Sequence, residues 1–188
     1  MRIIAGQWRG RRLRAPRGFD LRPTSDKVKG ALFNILGADI EGARVMDLFA
    51  GTGSVGIEAL SRGASHVTFV EEDPAARLAL ETNLEACGAS PRQATVWTRG
   101  GVAGWISHLK RSDERAGVIF ADPPYHRPET FRLLRPFAGG LGLSKGGWLV
   151  IEHFHTAEPP APVTPMAAVK TYHYGETTLS ISAKTESP

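Results

Sequence analysis

Short apolar runs recur between residues 44 and 151, each followed by a glycine turn or a stretch of helical spacing, and this alternation limits the possible folds more than any other feature. Val45-Met46-Asp47-Leu48-Phe49, Val67-Thr68-Phe69-Val70, Thr95-Val96-Trp97, Val118-Ile119-Phe120-Ala121 and Trp148-Leu149-Val150-Ile151 read as strands. Near-continuous apolar character suits strands buried on both faces, as in a parallel sheet covered by helices. The glycines from Gly51 to Gly56 predict a turn into a helix that ends at Gly63. Asp73-Pro74 supplies a cap and a proline at the first helical position for a second helix reaching about Gly88. Residues 104–109 predict a short third helix. The expected class is α/β, with right-handed crossovers between neighbouring strands.

The two ends depart from this pattern. Residues 169–174 and 178–183 flank Gly175-Glu176 with no helix between them, which predicts a closing antiparallel hairpin. A loop with four prolines, residues 159–165, precedes it. Residues 1–20 mix Arg and Gly with Ile3, Ile4, Trp8 and Leu13, as an exposed hairpin or loop with a few apolar anchors would. Thr24 is the expected cap of a helix with Val28, Leu32, Phe33, Ile35 and Leu36 on one side, Asp26 in its first turn and Gly37 as its stop. The chain thus divides into a basic arm with its helix, residues 1–36, and an α/β domain, residues 37–188.

Charge sharpens that division. Nine of the 23 Lys and Arg precede residue 30, and only Asp20 and Asp26 oppose them there. The remainder carries 14 cationic against 17 acidic side chains, so the net charge of +4 belongs to one end of the protein. Such a distribution is the footprint of a nucleic-acid docking arm, and Arg2, Arg9, Arg11, Arg12, Arg14, Arg22 and Lys27 are its candidate phosphate contacts. No stretch approaches the roughly 18 apolar residues of a membrane span. The polar start does not resemble a secretory signal, and the single cysteine, Cys87, reads as a packing residue in a reducing compartment. A cytoplasmic location is expected.

Three groups of residues carry chemistry. Asp47-Leu48-Phe49-Ala50-Gly51-Thr52-Gly53-Ser54-Val55-Gly56 places a Gly-x-Gly-x-x-Gly turn between strand and helix, where backbone closely approaches a ligand. That spacing alone fits dinucleotides and S-adenosylmethionine equally. Asp47 tilts the balance, because a carboxylate would repel a pyrophosphate and attract an ammonium and a sulfonium. Glu71, twenty residues after Gly51, ends the second strand where an acid can accept both ribose hydroxyls. Asp122-Pro123-Pro124-Tyr125 follows the fourth strand. Its prolines stiffen the loop and leave carbonyls free to accept. Asp122 and the Pro123 carbonyl can then hold the two hydrogens of an exocyclic amine, with Tyr125 as a stacking surface for the base.

With these motifs in order, the chain resembles the bacterial 16S rRNA guanine-N2 methyltransferases of the RsmD type. Met1-Arg2-Ile3-Ile4-Ala5-Gly6, Arg9-Gly10-Arg11 and Arg22-Pro23-Thr24 with Ala31-Leu32-Phe33-Asn34-Ile35-Leu36 are similar to that family's beginning. Glu58-Ala59-Leu60-Ser61-Arg62-Gly63-Ala64, Phe69-Val70-Glu71 and Tyr174-Gly175 continue the likeness. The resemblance implies a Rossmann-like class I methyltransferase sheet of seven mostly parallel strands with the last reversed. It implies S-adenosylmethionine as cofactor, S-adenosylhomocysteine as product, and guanine N2 of 16S rRNA, alone or in a small-subunit particle, as target. It assigns Asp122, Pro123, Pro124 and Tyr125 to catalysis. It assigns Asp47, Phe49, Gly51, Thr52, Gly53, Glu71 and Gly101 to the cofactor. The chain departs from the family at Arg99-Gly100-Gly101, where an Asp or Asn near the adenine is usual.

Related chemistries share the proline cage: adenine-N6 DNA methylases and protein glutamine methyltransferases. A compact chain leaves little room for the recognition region that DNA methylases need. A nicotinamide-dependent dehydrogenase would explain the glycines but neither Asp47 nor Asp122, and a non-catalytic RNA-binding module would explain only the arm. His153 and His155 lack a third ligand of suitable spacing, so no metal is expected, nor does any long apolar stripe demand a dimer.

Overall fold

A computed structural model describes residues 1–16, 25–124 and 128–185. The predicted strands appear as β1 (Arg44–Leu48), β2 (His66–Val70), β3 (Ala94–Trp97), β4 (Ala116–Ala121), β5 (Leu143–Phe154), β6 (Met166–Tyr174) and β7 (Thr177–Lys184). They form one seven-stranded sheet in the order β3-β2-β1-β4-β5-β7-β6. β1 to β5 pair in parallel, and β7 runs antiparallel to both β5 and β6. The expected sheet with a reversed last strand is borne out.

The helices are α1 (Asp26–Leu36), α2 (Ser54–Ser61), α3 (Pro74–Cys87), α4 (Gly101–Leu109) and the single turn α5 (Arg135–Ala138). α1 is capped by Ser25, whose hydroxyl accepts from the Val28 N–H at 3.2 Å, one residue later than expected. Thr24 lies outside the described residues. Asp73 caps α3 as predicted, accepting from the Ala75 and Ala76 N–H groups, and Gly88 ends that helix in the left-handed region. α4 begins at Gly101 rather than Gly104, because two successive glycines with positive φ turn the chain straight into the helix.

Alternation along the strands divides the core into two layers. Val45, Phe120, Val150, Leu179 and Ile181 face α1, α2 and α3, with Ile3 and Leu13 of the arm in the same cluster. Met46, Leu48, Ile119, Ala121, Leu149 and Ile151 face α4 and α5.

The arm folds back on itself as expected. Arg2 and Arg12 form an antiparallel bridge, flanked by Ile3 N–H to Arg11 O (2.9 Å) and Leu13 N–H to Met1 O (3.2 Å). It is tightly fastened to α2. Glu58 accepts from the Ile4 and Ala5 N–H groups at 2.7 and 3.0 Å. The same carboxylate pairs with Arg62 at 2.7 Å and with Lys29 of α1 at 3.5 Å, the Lys29 and Glu58 side chains being wholly buried. Lys29 Nζ also donates to Arg2 O and to Ser54 Oγ, at 2.7 and 3.2 Å. A Cβ on Gly6 would lie 1.8 Å from Ser61 O, so the arm reaches α2 backbone to backbone at this point. Removing one member of such a buried ion pair strands its partner, at a cost of about 3–5 kcal/mol.

Candidate active site

From β1 the chain winds one way to β2 and β3 and the other way to β4 and β5. The strand order therefore reverses between β1 and β4, and ligands of such sheets bind at the carboxyl ends of these strands. Leu48 and Ala121, the last residues of the two strands, are register partners. The Asp122 N–H donates to Leu48 O at 3.4 Å, which sets the Asp122 loop directly beside the glycine turn. Asp122 and Pro124 are partly exposed and Pro123 is buried, whereas Tyr125 lies outside the described residues.

The turn itself is held by short contacts. Phe49 has φ 62, a left-handed conformation that costs a bulky residue roughly 1–3 kcal/mol and concentrates at functional sites. The Ala50 N–H donates to Val70 O, and the Gly53 N–H to Ala50 O. The three glycines serve different ends. A Cβ on Gly53 would meet Leu80 Cδ1 at 2.3 Å, and one on Gly56 would meet the Phe69 ring at 2.3 Å, so both allow α2 to pack closely. Gly51, with φ 56, has nothing within 4 Å of where its Cβ would be, leaving room for close approach of a ligand.

Two carboxylates frame this opening. Asp47 is 2% exposed and accepts from the Gly56 N–H at 2.9 Å. Burial pushes its pKa up to about 7, the Gly56 hydrogen bond working against that rise and the nearby Glu71 charge adding to it. Glu71 accepts from the Gly51 N–H at 2.7 Å and from the Asp73 N–H at 2.8 Å. Burial raises its pKa too, against the pull of these amides. A buried carboxylate beside a partly exposed one suits a ligand with cationic groups and hydroxyls, and disfavours a pyrophosphate. The residues present therefore fit S-adenosylmethionine.

Thr52 is turned inward instead. Its hydroxyl lies 3.6 Å from Met1 Sδ, and its carbonyl accepts from Asn83 Nδ2 at 3.0 Å. Asn83, which no sequence signal distinguished from any helical Asn, also clasps Arg14 through both the backbone N–H and the carbonyl. The arm is thus tied to the turn. At Gly101 a Cβ would lie 2.3 Å from Glu72 Oε2, so the exposed Glu72 side chain lies against the start of α4. The Arg99 carbonyl there accepts from Trp97 Nε1 at 2.9 Å.

The candidate docking residues Arg2, Arg9, Arg11, Arg12, Arg14 and Lys27 are all exposed. Arg2 is paired with Asp26 at 3.0 Å, and Arg22 lies outside the described residues. Trp8 packs partly buried against the core, so its ring serves to anchor the arm.

A sheet of this order, with a glycine turn after β1, an acid ending β2 and Asp-Pro-Pro after β4, defines a class I S-adenosylmethionine-dependent methyltransferase. The chain belongs to the family described as conserved hypothetical protein 95, whose model matches residues 1–183. It is 37% identical over 184 residues to YlbH of Bacillus subtilis, provisionally named an rRNA methyltransferase, covering 98% of this chain and 99% of that one. It is 43% identical over 128 residues to ribosomal RNA small subunit methyltransferase D of Haemophilus influenzae, covering 67% and 64% of the two chains. The structure of Escherichia coli yhhF, provisionally named a methyltransferase, superposes with a TM-score of 0.78 at 32% identity, covering 100% and 99%. The resemblance drawn from the motifs is borne out by these relatives.

Proposed function

We propose that this protein transfers a methyl group from S-adenosylmethionine to the exocyclic N2 of a guanine in 16S rRNA. The observation that carries this reading is the adjacency of the Asp122-Pro123-Pro124 loop to the Gly51 opening, joined through the Leu48 carbonyl. The relatives named as rRNA methyltransferases support the substrate class.

When bound, the cofactor supplies an activated methyl group on a sulfonium. Phe49, Gly51, Gly53 and Glu71 orient it, the Glu71 carboxylate retaining acceptor capacity for ribose hydroxyls beyond its two amide contacts. Asp47 faces its positive charge, Gly101 bounds the adenine side, and Thr52 acts by fixing the turn. Asp122 and the Pro123 carbonyl accept the two amino hydrogens of guanine and so direct the nitrogen lone pair at the methyl carbon. Pro124 stiffens the loop, and Tyr125 stacks on the base. After transfer the extra proton on nitrogen has the Asp122 carboxylate as its nearest acceptor. The chemistry then needs mostly positioning. Residues 1–36 dock the RNA, and residues 37–188 carry the reaction. The protein acts as a cytoplasmic monomer without a metal, on naked rRNA or on a small-subunit particle.

The deciding experiment incubates the protein with labelled cofactor and rRNA from an unmodified source, then digests the product. N2-methylguanosine is expected, and N6-methyladenosine alone would overturn the assignment.

Asp47 makes cofactor affinity pH-dependent. Its pKa of about 7 means that below pH 7 a proton must leave before the carboxylate meets a cation. The affinity is therefore expected to be highest above pH 7 and to fall about fivefold between pH 7 and 6, with proton release seen by calorimetry in buffers of differing ionisation enthalpy. Asp47→Asn should bind more weakly, with a flat profile. A flat profile in the unmodified protein would remove Asp47 from cofactor binding.

A further inference from the structure

β6 is an edge strand, and on one of its faces the register places a cation and two aromatic rings in succession. Lys170, Tyr172 and Tyr174 pair with Ile181, Leu179 and Thr177 of β7. Those three pair in turn with Val150, Glu152 and Phe154 of β5. Ala121 and Ile151 are also partners, so Asp122, just past β4, stands level with Glu152 near the carboxyl end of β5. Asp122, Glu152, Leu179 and Tyr172 therefore form one row across the sheet, on the face that carries Phe120, Val150 and Ile181. With strands about 4.8 Å apart, Tyr172 lies about 14 Å from Asp122, and Tyr174 is one step further towards the carboxyl edge.

The rings are built for contact. Tyr172 and Tyr174 are partly buried, each leaning on the core cluster while part of its surface remains open. Lys170 is exposed, with its ammonium 4.9 Å from the centre of the Tyr172 ring. Anchored tyrosines offer flat, preorganised surfaces at little cost in conformational entropy. Bases of any identity stack on such rings, and a neighbouring cation meets the phosphates.

We propose that Lys170, Tyr172 and Tyr174 form a ledge on which single-stranded RNA next to the target guanine stacks. The ledge rests on the rRNA reading above and adds a second docking surface, at the opposite end of the sequence from the basic arm. Its partner is RNA by charge and by geometry: a positive group and two partly open aromatic rings lie at the far end of the row that begins at Asp122.

The test is steady-state kinetics on an rRNA fragment containing the methylated guanine. Tyr174→Ala is expected to raise the KM for RNA about tenfold, with kcat within about twofold and cofactor affinity unchanged, whereas Tyr174→Trp keeps the KM. Lys170→Ala should lower the salt exponent of RNA binding by about 1. A 2-aminopurine placed beside the target should be quenched on binding the unmodified protein and less so on binding Tyr174→Ala. A folded Tyr174→Ala with unchanged KM and unchanged quenching overturns the ledge. If the variant is normal on naked RNA but fails on assembled particles, the face belongs to a ribosomal protein and the RNA assignment is overturned. If the unmodified protein methylates neither the fragment nor the assembled particle, the rRNA reading falls and takes the ledge with it.

Discussion

Asp122→Ala is expected to reduce kcat by roughly 10³-fold while leaving cofactor affinity within about twofold. The asymmetry follows from the fold. The cofactor turn is held by the Ala50–Val70, Gly53–Ala50 and Asp47–Gly56 hydrogen bonds, none of which uses the Asp122 side chain. Asp122 reaches that turn through its backbone N–H, which alanine retains. What alanine removes is the carboxylate that holds the amino group and orients its lone pair. Asp122→Asn is the finer probe, because it keeps the shape but presents an amide donor to an amine whose hydrogens need acceptors. It should fail nearly as badly. Single-turnover methylation together with calorimetry separates the two effects, and a kcat within tenfold of the unmodified protein in both variants would remove Asp122 from the reaction.

Reversal of three arm charges comes second in size. Arg9, Arg11 and Arg12 are exposed, and the bonds that fold the arm here run through the backbone, so their replacement by Glu leaves the hairpin intact. Each lost phosphate contact lowers the salt exponent of binding by about 0.7 to 0.9, so the triple variant should lose about 2 from the slope of log affinity against log salt. Its affinity for rRNA should fall by about 10²-fold or more at moderate salt, since repulsion replaces attraction. Cofactor binding should not change. An unaltered slope would show that the RNA lies elsewhere.

How much of this was legible in the sequence depended on the range of the forces involved. β1, β2 and β4 were readable because strands buried on both faces must be apolar at almost every position. Their ends were readable because glycine or proline follows. The start of β5 was not, since Gly146 and Gly147 interrupt the apolar run at a shift in the β4–β5 register, while the strand itself continues across them. α5 and the 3-10 turn Pro128–Leu134 are too short for periodicity to show. Ser25 and Thr24 are adjacent candidates for one cap, and local chemistry does not separate them. At the site, Asp47, Gly51, Glu71 and Asp122 were readable because each lies near the carboxyl end of a strand or just beyond it. The inward role of Thr52 and the part played by Asn83 were not, because both arise from partners far along the chain. Lys29 and Glu58 gave a faint signal: each is a charge set among the apolar positions of a helix.

That buried pair has a consequence for how the enzyme meets its substrate. Glu58 binds the arm's backbone, a lysine of α1 and Arg62 together, and Lys29 joins Arg2 to the first residue of α2. Peeling the arm away would expose two charges' worth of broken contacts to each other's vacancy, so the arm does not reach out and wrap. On the function proposed above, the guanidinium groups of Arg9, Arg11 and Arg12 stand on a backbone rail fixed relative to the reacting centre before any RNA arrives. Recognition of the target then becomes a matter of matching a preset distance, in the manner of a caliper.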